Sequence, residues 1–433
     1  MRRRAFTVLA AATAGAGIFA CVTSSSSPGG PPSFDGSFPD ALGSSGGTDA
    51  SADSPTAPEA SADAADAADA GSTLRWVYVA GALEPNTLPD GGYNAGVYGF
   101  AADLATGALT AIDTDGVTPG FQSSVAADVP RFALATPDGR FLYATAFTKS
   151  AKTLYEFAID RPTGALTPIG TLQIPSPEFF PEFAVDPGGK HLFIPDVSNG
   201  TIHVVDIAAD GTLTEQPTTY PAPVAPSLTF LTMSPSGRFL FTCTTAGGNT
   251  GSLTSSFSVD PATGALAHLH DIPAATTSST IVHHPTKQVI YVFSYNNSLV
   301  SALAYDATGT FTALSTKPNG AFNGAVDPTG SYLYATVVFT PVIDAFTLNP
   351  ATGDLGAPIV SDGGLITGHG VTPDPSGRAV FADGLTGGGP QGNVTGPLLS
   401  VWTVGAGGTL TLVPSSAPGA SESALSGPVV IVR

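Results

Sequence analysis

A proline with glycine two residues on recurs along the chain: Pro137-Asp138-Gly139, Pro187-Gly188-Gly189, Pro235-Ser236-Gly237, Pro328-Thr329-Gly330 and Pro375-Ser376-Gly377, with Pro285-Thr286-Lys287 as a sixth, variant copy. The copies fall about 48 residues apart, the length of a four-stranded propeller blade. A second signature sets a Gly before a Leu or Phe two residues on, usually after an acid or Asn. It reads Asp103, Gly107, Leu109; Asp160, Gly164, Leu166; Asp206, Gly211, Leu213; Asp260, Gly264, Leu266; Asp306, Gly309, Phe311; Asn349, Gly353, Leu355; and finally Gly408, Leu410. There are seven of these against six of the first.

Each signature has a mechanical reason. Proline fixes φ at the second position of a tight turn, and glycine accepts the positive φ that closes a hairpin. Between turns lie runs such as Phe141-Leu142-Tyr143-Ala144-Thr145 and Val289-Ile290-Tyr291-Val292-Phe293. Continuous apolar β-formers, rather than strict alternation, predict strands covered on both faces. Glycine (51) and proline (38) make up about a fifth of the chain and charged residues only 11%, which excludes coiled coils and helical bundles.

The unequal counts predict how the ring shuts. Trp76-Val77-Tyr78-Val79 reads as the second strand of a blade that lacks its innermost one, and Pro428-Val429-Val430-Ile431-Val432 reads as an inner strand with nothing after it. One strand from the C-terminus would complete the first blade and remove the exposed edges of an open array. The expected fold is therefore all-β, a seven-bladed β-propeller of four-stranded blades over residues 74–433.

The residues ahead of it read as an address and a tether. Met1-Arg2-Arg3-Arg4 precedes an apolar run over 5–20, too short to span a bilayer comfortably and suited to an export signal. Ile18-Phe19-Ala20-Cys21 resembles the lipobox of bacterial lipoproteins, which implies a signal peptide over 1–20 and lipidation of Cys21; the alternative is an ordinary secretory signal with an incidental Cys. Val22 rather than Asp after the lipidated position points, in a Gram-negative cell, to the outer membrane of the envelope. Residues 22–73 hold eight acids, no bases and two aromatics, a composition expected to stay disordered as a linker over 21–73. With a net charge of −19, nucleic acid is excluded as a partner, and a membrane is expected only through the Cys21 anchor. The remaining Cys243 sits in an apolar run and reads as a buried hydrophobe.

The paired turns, Asn297-Ser298 between strands and the closing Gly427-Pro428-Val429-Val430 resemble the seven-bladed propeller lactonases, the 6-phosphogluconolactonase type, over residues 74–433. That resemblance implies a site at the mouth of the central channel, with a Gly-Pro-Arg-His stretch ahead of a turn proline, a further His and an Asn-Glu pair. The matching places here hold Thr277-Ser278-Ser279-Thr280, Ser227-Leu228-Thr229-Phe230 and Ser294-Tyr295, without Arg, His or acid. Two functions are consistent with this: a binding module for a small-molecule or protein ligand, or a lactone or ester hydrolase with an altered site.

Counting back from the turn prolines, inner strands begin near Arg131, Glu182, Asn323 and His369. Arg131, Glu182 and His369 are the candidate catalytic residues, expected at one register in neighbouring blades. Arg131 would hold an anion, and Glu182 or His369 would act as general base on a water; the alternative is that all three are solvated mouth residues. The longest connections, over 81–95, 113–130, 383–397 and 414–427, mark the expected binding face. His283-His284 should face opposite ways along a strand, and His268 and His270 should share a face. No phosphate loop, nucleophile elbow or metal motif is present, so no cofactor or metal is implied, and a monomer is expected.

Overall fold

The computed structural model describes residues 74–83, 94–112, 121–124, 130–147, 152–174, 183–196, 199–223, 228–244, 253–273, 280–294, 298–318, 323–336, 343–360, 367–384, 399–414 and 430–432. All belong to one compact unit, Asp63–Arg433. The signal segment, Cys21, the linker and Glu182 lie outside the described residues.

Blade 1 contains β1 (Leu74–Leu83), β2 (Asn94–Asp103) and β3 (Ala108–Ala111), and β4 (Phe121–Ser124) also pairs with β2. Blade 2 is β5 (Pro130–Ala135), β6 (Phe141–Phe147), β7 (Lys152–Ile159) and β8 (Leu166–Ile174). Blade 3 is β9 (Ala184–Val185), β10 (His191–Asp196), β11 (Thr201–Ile207) and β12 (Leu213–Pro221). Blade 4 is β13 (Leu228–Met233), β14 (Phe239–Thr244), β15 (Leu253–Val259) and β16 (Leu266–Pro273). Blade 5 is β17 (Thr280–His283), β18 (Val289–Ser294), β19 (Leu299–Tyr305) and β20 (Phe311–Pro318). Blade 6 is β21 (Asn323–Val326), β22 (Tyr332–Thr336), β23 (Ile343–Leu348) and β24 (Leu355–Val360). Blade 7 is β25 (Thr367–Pro373), β26 (Ala379–Gly384), β27 (Leu399–Val404) and β28 (Leu410–Val413).

The last strand, β29 (Val430–Val432), returns to blade 1 and pairs antiparallel with β1, Trp76 opposite Val432 and Tyr78 opposite Val430. The C-terminal strand thus supplies the inner edge that blade 1 lacks. The inner strands β9, β13, β17 and β21 each contact the inner strand of the next blade, and β29 does so with β5. One seam is reinforced by charge: the Arg75 guanidinium of β1 meets the Asp374 carboxylate of the blade 7 turn at 3.2 Å, both buried.

The core lies between blades rather than within one. Seven apolar clusters among the described residues each join two neighbouring sheets: Phe100 with Phe381, Tyr78 with Phe157, Tyr143 with Leu192, Phe193 with Leu240, Phe241 with Ile290, Tyr291 with Phe346 and Tyr334 with Trp402. That is why the strands are apolar on both faces.

The two turn signatures do distinct jobs. In the proline turns, which join first and second strands, the residue before Pro closes the loop with its side chain. Thr136 Oγ1 accepts the Phe141 amide at 3.1 Å, Ser234 Oγ that of Phe239 at 3.0 Å and Asp327 Oδ1 that of Tyr332 at 2.6 Å. In the second set, which joins third and fourth strands, the glycine enters a socket of the preceding blade. A Cβ on Gly211, at φ +88°, would fall 2.3 Å from the Phe141 ring.

Two expected connections are partly strand. β1 runs to Leu83 and β2 starts at Asn94, inside 81–95, and β4 lies within 113–130. The rest of those connections, and of 383–397 and 414–427, falls outside the described residues.

Candidate functional site

In a propeller of this winding the first strands begin on the face opposite the short turns, so their first residues mark the mouth of the central channel. Three of these strands start with a bulge at nearly one register. β5 carries an extra residue between Pro130 and Phe132, β13 one between Leu228 and Phe230, and β25 an irregular stretch between Thr367 and Val371. Arg131 and Thr229 are the residues so inserted, and His369 lies in the irregular stretch of β25. A bulge leaves a residue outside the ladder and bends the strand, and bulges are over-represented beside active sites.

The topology places the candidates unevenly. Arg131 belongs to blade 2 and His369 to blade 7, with blade 1 between them, so these two are not in adjacent blades as the sequence reading expected. Asn323, the first residue of β21, is buried, and its Oδ1 takes the neighbouring Gly324 amide at 2.7 Å, a local structural bond. Of the places that the family resemblance assigns to catalytic groups, Thr280 at the start of β17 is 1% exposed and Ser294 at the end of β18 is 4% exposed.

Six histidine side chains are described; His191 packs against the Asp186 carboxylate of its own turn, 3.3 Å from Nδ1, and the other five sit as follows. His203 on β11 faces two carboxylates, Glu215 Oε1 at 2.6 Å from Nδ1 and Asp196 Oδ2 at 3.5 Å from Nε2. Asp196 is itself held by the Asn199 amide at 2.7 Å, so the group staples the β10–β11 hairpin to β12. Sequence reading missed it, because Glu215 reaches His203 only through the bulge between His203 and Val205.

His283 and His284 do face opposite sides. His283 stacks on Phe241 of blade 4 and shares a 2.6 Å bond with the Tyr305 hydroxyl. Burial lowers its pKa to about 4, keeping it neutral, and pushes Tyr305 up to about 12. His284 is 1% exposed, its Nδ1 takes the Thr286 and Lys287 amides, and burial lowers its pKa as well.

His268 and His270 differ from expectation. A bulge sets His268 opposite Phe257 and His270 opposite Ser256, which point to opposite faces of β15. His268 pairs with Asp271 at 2.9 Å on the surface.

Glu156 on β7 is a buried carboxylate whose pKa burial raises; the Leu213 amide of blade 3 donates to it at 3.3 Å. Cys243 is buried against Thr254, as its apolar run predicted. Among the described residues no group of three or more His, Cys, Asp or Glu is placed to hold a metal ion, and no helix is long and apolar enough to cross a membrane.

A family model described as lactonase, 7-bladed beta-propeller, matches residues 222–324. No curated protein matches the chain by sequence. Among solved structures, it is similar to a candidate 6-phosphogluconolactonase from Bacteroides fragilis at 16% identity and TM-score 0.63, covering 83% of this chain and 98% of that one. A second candidate 6-phosphogluconolactonase, from Bacteroides uniformis, is 20% identical at TM-score 0.63, covering 83% and 99%. The periplasmic gluconolactonase of Pseudomonas aeruginosa is 16% identical at TM-score 0.62, also covering 83% and 99%. The chain therefore has the lactonase-like seven-bladed propeller fold.

Proposed function

We propose that this chain is an exported, lipid-anchored propeller that binds a small-molecule or protein ligand at the channel mouth and has lost the lactonase chemistry of the fold's family. Fold alone does not carry an activity. The observation behind the reading is the pair Thr280 and Ser294, buried hydroxyl side chains where the resemblance calls for a His and for the Asn of the Asn-Glu pair. A Ser or Thr hydroxyl is itself neither a general base nor a cationic clamp for an oxyanion. In this reading Cys21 carries the lipid, residues 21–73 act as the tether and the body stands in the cell envelope at the outer membrane.

The bulge at Arg131 and the irregular stretch of β25 that contains His369 favour a second reading, an altered hydrolase in which these residues, with Glu182, act on a lactone or ester. A panel of sugar lactones and homoserine lactones separates the two. The binding reading predicts no hydrolysis by the purified protein above the rate in buffer. Turnover that His369→Ala abolishes would overturn it in favour of the hydrolase.

A further inference from the structure

A cleft of about 250 Å³ opens between blades 4 and 5, lined mostly by third and fourth strands and reaching Ser294 at the end of β18. The strand bulges explain why it exists. Fourth strands carry extra residues against third strands in blades 2 to 6, and each such bulge must be filled from somewhere. In blade 2 the Glu156 side chain occupies the place where Gly170 has no Cβ, since a Cβ there would lie 2.5 Å from its Oε2. In blade 3 Glu215 reaches across to His203. In blade 5 the residues at the bulge, Ser301 and Ser315 with Thr316, are short, and nothing long enters from Thr254 on β15.

The lining has two chemistries. Five hydroxyl side chains, Thr254, Ser294, Ser301, Ser315 and Thr316, stand over an apolar floor that includes Val292 and Leu303. Among the described residues no charged side chain lines it. Ser301 and Thr316 hydroxyls lie 3.0 Å apart, and Ser315 donates to the Asp354 carboxylate just outside, which places negative charge beside the cleft.

We infer that this cleft is a ligand site for a neutral polyhydroxylated molecule of about monosaccharide size. Hydroxyls both donate and accept, so a row of them matches a ring of alcohol groups, while the floor takes the C–H face. An anion would be desolvated there beside a like charge, and a cation would meet a carboxylate that lies outside the lining and is already held by Ser315. The volume lies below that of drug-sized pockets, which start near 300 Å³.

The test is saturation-transfer NMR on the full-length protein with methyl β-D-glucopyranoside, D-xylose and myo-inositol, and with sodium gluconate and choline as charged counterparts. At least one neutral polyol should bind, and both ions should bind at least tenfold more weakly. Ala313→Phe, at an exposed position on the rim, should weaken polyol binding at least tenfold. Thr316→Val, nearly isosteric and also exposed, should weaken it roughly three- to tenfold for one lost hydrogen bond and decides the matter if the first variant fails to fold. Arg131→Ala should leave binding unchanged. Failure of all three polyols to bind, equal binding of gluconate or choline, binding indifferent to the cleft variants, or loss in Arg131→Ala instead would each overturn the inference.

Discussion

At the scale of single residues, the buried histidines of blade 5 make the structure sensitive to acid. His283 titrates near 4 in the folded state against 6.5 as a free side chain, so between those values the unfolded chain binds a proton that the folded one refuses. Its contribution is fully present above about pH 6.5, is lost as pH falls toward 4, and amounts to about 3 kcal/mol at most. Urea midpoints at pH 7 and pH 4.5 should fall further apart in the native protein than in His283→Gln; equal pH dependence would show that His283 is not held neutral. The facing of this pair was legible in the sequence, because neighbours on a regular strand must point apart. That of His268 and His270 was not, since one inserted residue, seen only once β15 and β16 are paired, reverses the parity.

At the scale of elements, blade seams are fastened by a repeated bond. Tyr78, Tyr143 and Tyr291, third in their strands' apolar runs, donate their hydroxyls to the carbonyls of Gly164, Gly211 and Gly353 in the next blade's outer turn, at 2.7, 2.9 and 2.5 Å. Where blade 4 has Phe241 instead, Ser256 Oγ takes the role and donates to Gly309 O at 2.8 Å. Tyr334 occupies the same place in blade 6, yet its buried hydroxyl has no partner. Chemical denaturation should therefore show a loss of about 1 kcal/mol for Tyr143→Phe or Tyr291→Phe and no loss, or a gain, for Tyr334→Phe. A uniform cost across the series would contradict this pairing. Gly211→Ala should cost more than either, because it forces a side chain at positive φ into the Phe141 ring; thermal unfolding would measure it. The turns themselves were readable, since glycine and proline announce the backbone they permit. The clasps were not, because they join residues 62 to 86 positions apart and each Tyr looks like one more apolar core residue. The bulge at Arg131 and the irregular start of β25 were equally hidden, being a property of pairing rather than of either strand's own pattern.

At the scale of the whole molecule, a ring made of seven similar interfaces is only as secure as the seam where chain ends meet. Here that seam has two fastenings, the β1–β29 ladder and the buried Arg75–Asp374 pair from blade 1 to blade 7. Removing one partner strands a buried charge, so Arg75→Ala should cost about 3–5 kcal/mol, whereas a paired replacement of both by apolar residues should cost far less; a double-mutant cycle followed by urea unfolding distinguishes the two. The count of seven turns against six had already predicted the ladder, since only a strand from the far end could repair blade 1. The ion pair left no such trace, because an arginine at a strand start and an aspartate before a proline are ordinary separately. The most direct test of a closed ring is amide hydrogen exchange at Val430–Val432 in the full-length protein. Closure predicts that these amides exchange as slowly as those of Trp76–Tyr78, their partners in the ladder. Exchange at the rate of a free tail, with β1 protected, would contradict it.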